Sequence, residues 1–200
     1  MIDKKKDLVP PDDVKDLLRR YEAGERDFAH AYLVVAKLGN AVLDGADMQE
    51  ANLVGADLRS AHLEKANLSD ADLIGADMQV VCLKNANLQT ADLQCANLED
   101  ADLECANLAR ANLAGANLVG SVLRNSNLQS ANLHAADLDA ADLEGADMRS
   151  TDIRNSNLSG ATGLTQEQLA QARGDELTRL PKGLTRPKSW KTAGRRDRSK

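Results

Sequence analysis

The chain has 200 residues, of which 2% are aromatic and 28% are charged, and its formal net charge is −6. So few aromatic residues are untypical of an ordinary globular core, and no apolar run approaches the ~18 residues of a membrane span. The first residues include lysines with no apolar segment behind them, so we expect no secretory signal and a cytoplasmic protein.

The charge is unevenly distributed along the chain. Residues 26–160 hold 20 acidic and 9 basic residues, which gives a net charge of −11. Residues 161–200 hold 4 acidic and 10 basic residues, a net charge of +6, and residues 1–25 have a net charge of −1. The sequence therefore predicts an acidic body that is followed by a basic tail.

Residues 1–25 are predicted to form an N-terminal segment with a capping helix. Either Asp12 or Asp13 can cap the start of this helix, and Gly24 stands where a helix usually stops. Four apolar residues share one helical face at spacings of three and four, namely Val14, Leu17, Leu18 and Tyr21.

Residues 26–160 repeat a five-residue unit 27 times without a slip in register, and we call its central apolar position i, from Phe28 to Leu158. Leucine occupies 22 of the i positions, alanine 21 of the i−2 positions, and Asp or Asn 21 of the i−1 positions. On a helix, successive leucines would lie about 140° apart, and on one strand they would point to alternate faces. The leucines share one core only if the chain turns a corner at every unit.

Four units then make one square coil of about 20 residues, and coils stack about 4.8 Å apart. Counting from Phe28, successive units lie on walls one, two, three and four, so wall two begins with Leu33 and wall four with Leu43. We expect an all-β solenoid, a quadrilateral β-helix of about seven coils and roughly 32 Å, with short α-helical caps at both ends. Its predicted core includes Phe28, Leu53, Leu73, Leu93, Leu113, Leu133 and Ile153.

The other positions of the unit also suit this geometry. Asn and Asp at i−1 favour tight turns, because their side chains can bond to nearby backbone. Glycines at i+2, such as Gly45 and Gly75, fit turn positions. Asparagines that recur on wall one predict a stacked ladder: Asn67, Asn87, Asn107 and Asn127.

The unit A(D/N)LXX resembles that of the pentapeptide-repeat family, and the resemblance covers about two-thirds of the chain. It implies that the β-helix is right-handed. The flanks LLRRYEAGERDF and TGLTQEQLAQARGDELTRLPKGLTRPKSW are similar to those of bacterial members, cyanobacterial ones among them.

Residues 161–190 are predicted to form a C-terminal helical cap and lid. TQEQ, starting at Thr165, is a capping-box pattern, and the helix is expected to end near Gly174. Apolar residues are expected to anchor the irregular lid that follows: Leu177, Leu180, Pro181, Leu184 and Trp190. Residues 191–200 are predicted to be a disordered basic tail.

No catalytic or metal site emerges from the register. His30, His62 and His134 fall on different walls, and the three cysteines, Cys82, Cys95 and Cys105, do not stack on one another. Two carboxylate pairs do stack, Asp57 on Asp77 and Asp72 on Asp92, and such pairs can do acid–base work or hold a divalent ion. The repeat itself explains these pairs, so we expect no enzyme, no cofactor and no metal.

An apolar stripe on wall two is the candidate partner surface. It comprises Tyr32, Val34, Val35, Val54 and Ile74, and exposed apolar patches often mark binding sites. The sequence leaves three alternatives for what covers this stripe: the N-terminal segment of this chain, a partner protein, or a second copy in a homodimer.

We therefore predict a non-catalytic protein–protein interaction module whose partner protein is not identified. The alternative, implied by the resemblance, is a DNA mimic that binds a topoisomerase such as DNA gyrase. B-DNA carries ~19 charges over ~32 Å, more than the net −11 here, which argues against strong mimicry. We expect no direct nucleic-acid binding except through the basic tail, which could also contact an anionic membrane or simply remain solvated.

Overall fold

The computed structural model describes residues 13–190. The predictions for the basic tail at 191–200, and for Asp12 as a helix cap, lie outside the described residues.

The repeat folds into a quadrilateral β-helix, which confirms the expectation from its spacing, and the β-helix is right-handed, as the resemblance implied. Parallel bridges join each i−1 residue to the residue twenty positions later, from the pair Asp27–Asp47 to the pair Asp142–Thr162. Twenty residues are four units, so each coil contributes one bridged residue to each of the four walls. The walls are columns of single-residue bridges, and no strand of two or more residues forms within residues 13–190.

The core is a central column of side chains from position i, surrounded by the small residues at i−2. Burial of each leucine stabilises the fold by roughly 1.5–3 kcal/mol. Where serine replaces alanine at i−2, as at Ser121, its hydroxyl donates to the Leu118 carbonyl at 2.8 Å, so the buried polar atom is satisfied. The seven residues named above for the core are each at most 1% exposed: Phe28, Leu53, Leu73, Leu93, Leu113, Leu133 and Ile153.

Each corner is a tight turn in which the N–H of residue i+3 donates to the carbonyl of residue i, as Ala96 does to Leu93 at 3.0 Å. The i+2 residue has positive φ in every unit except the last, which ends at Gly160. Positive φ at this position alone indicates a type II turn. Only six of these 26 residues are glycine, and β-branched residues such as Val35 (φ 51°) and Val80 (φ 57°) also adopt the left-handed conformation, which costs roughly 1–2 kcal/mol each.

Asparagine side chains form a ladder along wall one, as their spacing predicted. The amide groups of four asparagines each donate to the side chain twenty residues earlier: Asn67 to Asp47 (2.8 Å), Asn87 to Asn67 (2.9 Å), Asn107 to Asn87 (3.0 Å) and Asn127 to Asn107 (3.1 Å). The i−1 oxygen also accepts from the backbone N–H two residues later, as Asp47 does from Gln49 at 3.2 Å. These side chains therefore support both the corner and the stacking of the coils.

Helix α1, Val14–Glu22, covers the N-terminal end of the leucine column. Asp13 caps it by accepting from the Asp16 N–H at 2.8 Å. Leu17 is completely buried against the end of the core. At the other end of the helix, the Tyr21 hydroxyl donates to the Asp44 carbonyl at 2.9 Å, which fixes α1 to wall four of the first coil.

Helix α2, Gln166–Gln171, closes the C-terminal end, and the predicted capping box between Thr165 and Gln168 is present. The helix stops three residues before Gly174, so the predicted end is wrong. The reason is that Ala172 is already extended (φ −86°, ψ 166°), which lets Arg173 form a parallel bridge with Asp152.

The lid after α2 continues the β-helix for part of a turn. Arg173 covers the edge of wall two, and Arg179 covers wall three by pairing with Asn157. Trp190 is 8% exposed, and its indole N–H donates to the Ala172 carbonyl at 3.0 Å, so it anchors the lid as expected. Leu177 is 60% exposed and does not anchor the lid, contrary to the prediction.

Candidate functional site

Wall two differs from the other walls in the chemistry of its outward positions, which are i−1, i+1 and i+2. Between Tyr32 and Ala135 these positions hold no lysine, arginine or glutamate, and their only carboxylates are Asp72 and Asp92. Glycine or alanine occupies most of the i+2 sites of this range. The register therefore gives a flat face about 25 Å long with few long side chains.

The predicted partner surface lies at the N-terminal end of this face. Tyr32 is 71% exposed and Val35 is 65% exposed, while Val34, Val54 and Ile74 are half-buried. The last three follow one another at the coil spacing, so their side chains form one apolar column.

Helix α1 does not cover this surface. It packs on the end of the leucine column, and the large exposure of Tyr32 and Val35 remains with residues 13–25 in place. Residues 13–25, the described part of the N-terminal segment, therefore do not support the alternative in which this segment folds over the stripe.

About half of the charged side chains on the other walls are paired within their own wall. Arg59 lies 2.7 Å from an Asp57 oxygen and 3.5 Å from Asp77, and its hydrogen bonds lower the pKa of Asp57 to about 2. Lys84 lies 3.2 Å from both Asp102 and Glu104. The stacked aspartates Asp57 and Asp77 thus share a cation, which disfavours both a shared proton and a bound metal.

The histidines and cysteines do not converge. His30 lies 3.4 Å from Glu50 on wall one, whereas His62 and His134 belong to walls four and two. Within residues 13–190, no group of three or more His, Cys, Asp or Glu residues is arranged to hold a metal ion. The three cysteines of the β-helix are free thiols: Cys82, Cys95 and Cys105.

A cavity of about 540 Å³ lies between the last coil and the lid, and Arg173 and Trp190 line it. Arg154 also lines it, but its guanidinium is bound to Asp152 at 2.9 Å. The lining also includes Ser189 and Asp175, and within the described residues the Asp175 carboxylate accepts hydrogen bonds from Asn155, Leu177 and Thr178.

The first coil has an edge that sequence reasoning missed. In later coils the i−1 residue is bonded on both sides, as when the Asn52 N–H donates to the Ala31 carbonyl at 2.9 Å. The corresponding N–H groups of Tyr32 and Lys37 bond to no residue that the structure describes. A signal was present in the sequence, because walls two, three and four begin with Tyr32, Lys37 and Val42 where Asn or Asp is usual.

A comparison with protein-family sequence models finds pentapeptide repeats in eight copies. The matched ranges are residues 27–64, 51–89, 91–129, 106–145 and 126–162. No curated protein sequence matches the chain significantly.

Solved structures also resemble the chain. HetL, a pentapeptide repeat protein involved in heterocyst differentiation regulation in the cyanobacterium Nostoc sp. strain PCC 7120, is 35% identical. The match covers 84% of this chain and 80% of HetL, with a TM-score of 0.38. Rfr23 from the cyanobacterium Cyanothece 51142 is 25% identical over 83% of this chain and 98% of Rfr23, with a TM-score of 0.32.

QnrB1, a plasmid-mediated fluoroquinolone resistance protein, is 16% identical in a trypsin-treated R167E form. The match covers 81% of this chain and 82% of QnrB1, with a TM-score of 0.52, a likeness of fold alone. No helix within residues 13–190 is long and apolar enough to cross a membrane.

Proposed function

Because the chain belongs to the pentapeptide-repeat family, we propose that it is a non-catalytic interaction module that presents wall two to a partner protein. A stiff solenoid with a regular core suits this role, since its walls hold side chains at fixed spacings for another protein to contact. The three free thiols support a reducing compartment, and we propose the cytoplasm.

The observation that carries this proposal is the apolar column on wall two. Val34, Val54 and Ile74 stand next to one another, and the strongly exposed Tyr32 and Val35 border them. Interfaces have apolar, aromatic-rich centres that are poor in charged residues, which is the composition of this patch. Long charged side chains on the other walls, such as Arg59 and Lys84, would have to be desolvated on binding.

The placement of charge favours this function over DNA mimicry. A DNA mimic needs an uninterrupted row of negative charge, whereas arginines or lysines neutralise carboxylates on several walls. The pairs within 4 Å include Arg59–Asp57, Lys84–Glu104, Arg149–Asp147 and Arg154–Asp152. Binding to a topoisomerase stays a prediction that rests on the resemblance.

The proposal is tested by placing charge in the apolar column. We expect the double substitution Val54→Glu and Ile74→Glu to reduce recovery of the native partner at least about tenfold in co-purification, because residues at the centre of an interface cost more than ~1 kcal/mol when disrupted. The recovered proteins are quantified by mass spectrometry from the native cell.

The matched control is Gln49→Glu with Ser69→Glu. These residues occupy the same position of the unit in the same two coils, are also half-buried, and lie on wall one. The control variant should recover the partner like the unchanged protein. Equal recovery by both double variants, with both β-helices intact by circular dichroism, would remove wall two from the proposal.

A further inference from the structure

The N-terminal edge of walls two and three carries backbone groups that no residue between 13 and 190 uses. The N–H groups of Tyr32 and Lys37, and the carbonyls of Tyr32, Val34, Lys37 and Gly39, form no hydrogen bond with described residues. In the next coil, the Asn52 carbonyl accepts from the Leu33 N–H at 2.7 Å. The first coil therefore ends in an open β edge.

The opposite end of the same two walls is sealed. There the Arg173 N–H donates to the Thr151 carbonyl at 2.8 Å, and the Arg179 N–H donates to the Ser156 carbonyl at 2.9 Å. Single extended residues thus suffice to pair with one wall of this β-helix. The N-terminal edge has no such segment within residues 13–190.

The side chains at the open edge also suit an added strand. Tyr32 stands where Asn and Asp are usual, and tyrosine is favoured in strands. Tyr32 and Val35 are strongly exposed. Lys37 is exposed as well, and the described carboxylate on which its charge acts is Asp57, in the next coil. An occupant would meet two apolar side chains and then one positive charge.

Helix α1 decides what kind of occupant fits. A second copy stacked end to end would need its first coil within about 4.8 Å of this edge. Because α1 lies over the same end of the core and a helix is about 10 Å thick, the two copies would collide first. A single segment that follows the edge beside α1 needs no more room than one strand spacing.

We propose that the edge from Tyr32 to Gly39 binds a segment of a partner protein by β-augmentation. This segment is extended along wall two and along wall three, and it turns with the edge at the corner that Leu33 and Ala36 close. The segment places an apolar residue against Tyr32 and Val35 and a carboxylate at Lys37, and its backbone supplies the hydrogen bonds. This inference rests on the proposed interaction function and shares Tyr32 and Val35 with it. It depends on the backbone of the edge, however, whereas the proposed function depends on the side chains of Val54 and Ile74.

The test uses the full chain and a fluorescein-labelled seven-residue peptide of valine and threonine that has a central glycine, which permits the turn at the corner, and one glutamate. We expect saturable binding by fluorescence anisotropy. Amide exchange at Tyr32 and Lys37, followed by NMR, should be fast in the free protein and slower with peptide. The same peptide with N-methyl groups on its pairing edge should bind at least about tenfold more weakly, because it has lost its donors.

Tyr32→Pro removes an edge N–H that no described residue uses, and proline is tolerated at sheet edges. We expect it to weaken peptide binding at least about tenfold, while the wall-one control Gln49→Glu with Ser69→Glu leaves binding unchanged. Should Tyr32→Pro lose the β-helix spectrum, Lys37→Pro applies the same test on wall three. Unaltered peptide binding by a folded proline variant would overturn the proposal. Slow exchange of the Tyr32 amide in the free protein would also overturn it, because it would indicate that this chain or a second copy already covers the edge.

Discussion

Replacing Leu93 by alanine is expected to lower the free energy of unfolding by about 2–5 kcal/mol. Leu93 is completely buried in the middle of the rod, and its neighbours along the axis, Leu73 and Leu113, are completely buried as well. The backbone ladder holds the coils at a fixed spacing, so the core cannot collapse into the space that the removed atoms leave. Urea unfolding followed by circular dichroism measures the loss.

The control for Leu93 is the next residue. Gln94 is at the outward i+1 position and is exposed, so Gln94→Ala should change the unfolding free energy by less than about 0.5 kcal/mol. Similar losses for Leu93→Ala and Gln94→Ala would mean that the i side chains are not in a shared core.

Replacing Gly163 by alanine is expected to destabilise the protein by at least about 2 kcal/mol, through a backbone clash as well as strain. Gly163 follows Thr162, the last residue that bridges at the twenty-residue spacing, and its φ is +68°. A Cβ there would lie 2.5 Å from the Glu144 nitrogen and 2.7 Å from its Cα. Because these are backbone atoms, no change of rotamer can relieve the contact.

Gly45→Ala separates the two causes. Gly45 has nearly the same φ, +65°, but nothing lies within 4 Å of its virtual Cβ. Its free energy of unfolding should therefore fall only by the cost of a Cβ in the left-handed conformation, roughly 1–2 kcal/mol. Thermal unfolding compares the pair, and equal shifts in Tm for the two variants would show that the lid does not pack against Glu144 as described.

The five-residue register made much of the fold predictable, because it fixes which positions face inward. Leu93 could be placed in the core, and Gln94 outside it, from spacing alone. The capping box at Thr165 was equally predictable from the sequence, since its two hydrogen bonds need only a Thr and a Gln three residues apart.

The register could not reveal the left-handed backbone at every i+2 position. Glycine is the usual signal for positive φ, yet Val35 and Val80 adopt it as well, held there by the ladder bonds on either side. The pairing of the lid with the β-helix could not be predicted either, for another reason. Arg173 pairs with a residue 21 positions earlier and Arg179 with one 22 positions earlier, so neither follows the twenty-residue period.

The candidate site could be predicted in part, again from the five-residue register. The column Val34, Val54 and Ile74 follows from the register, but the greater exposure of Tyr32 depends on where α1 packs. The Arg59–Asp57 pair had a signal that was not used: an Asp at i−1 and an Arg at i+1 face outward from the same wall.

Site-specific photo-crosslinking tests most directly the claim that wall two meets the partner. A benzophenone side chain is placed in turn at Gln49, Val54, Arg59 and Glu64, which are the i+1 positions of four successive units and so face outward from walls one to four. Crosslinked adducts are then compared in the native cell. Our account predicts that one partner protein is captured from position 54 and from none of the other three. Capture of that protein from position 49, 59 or 64, with none from 54, would contradict it.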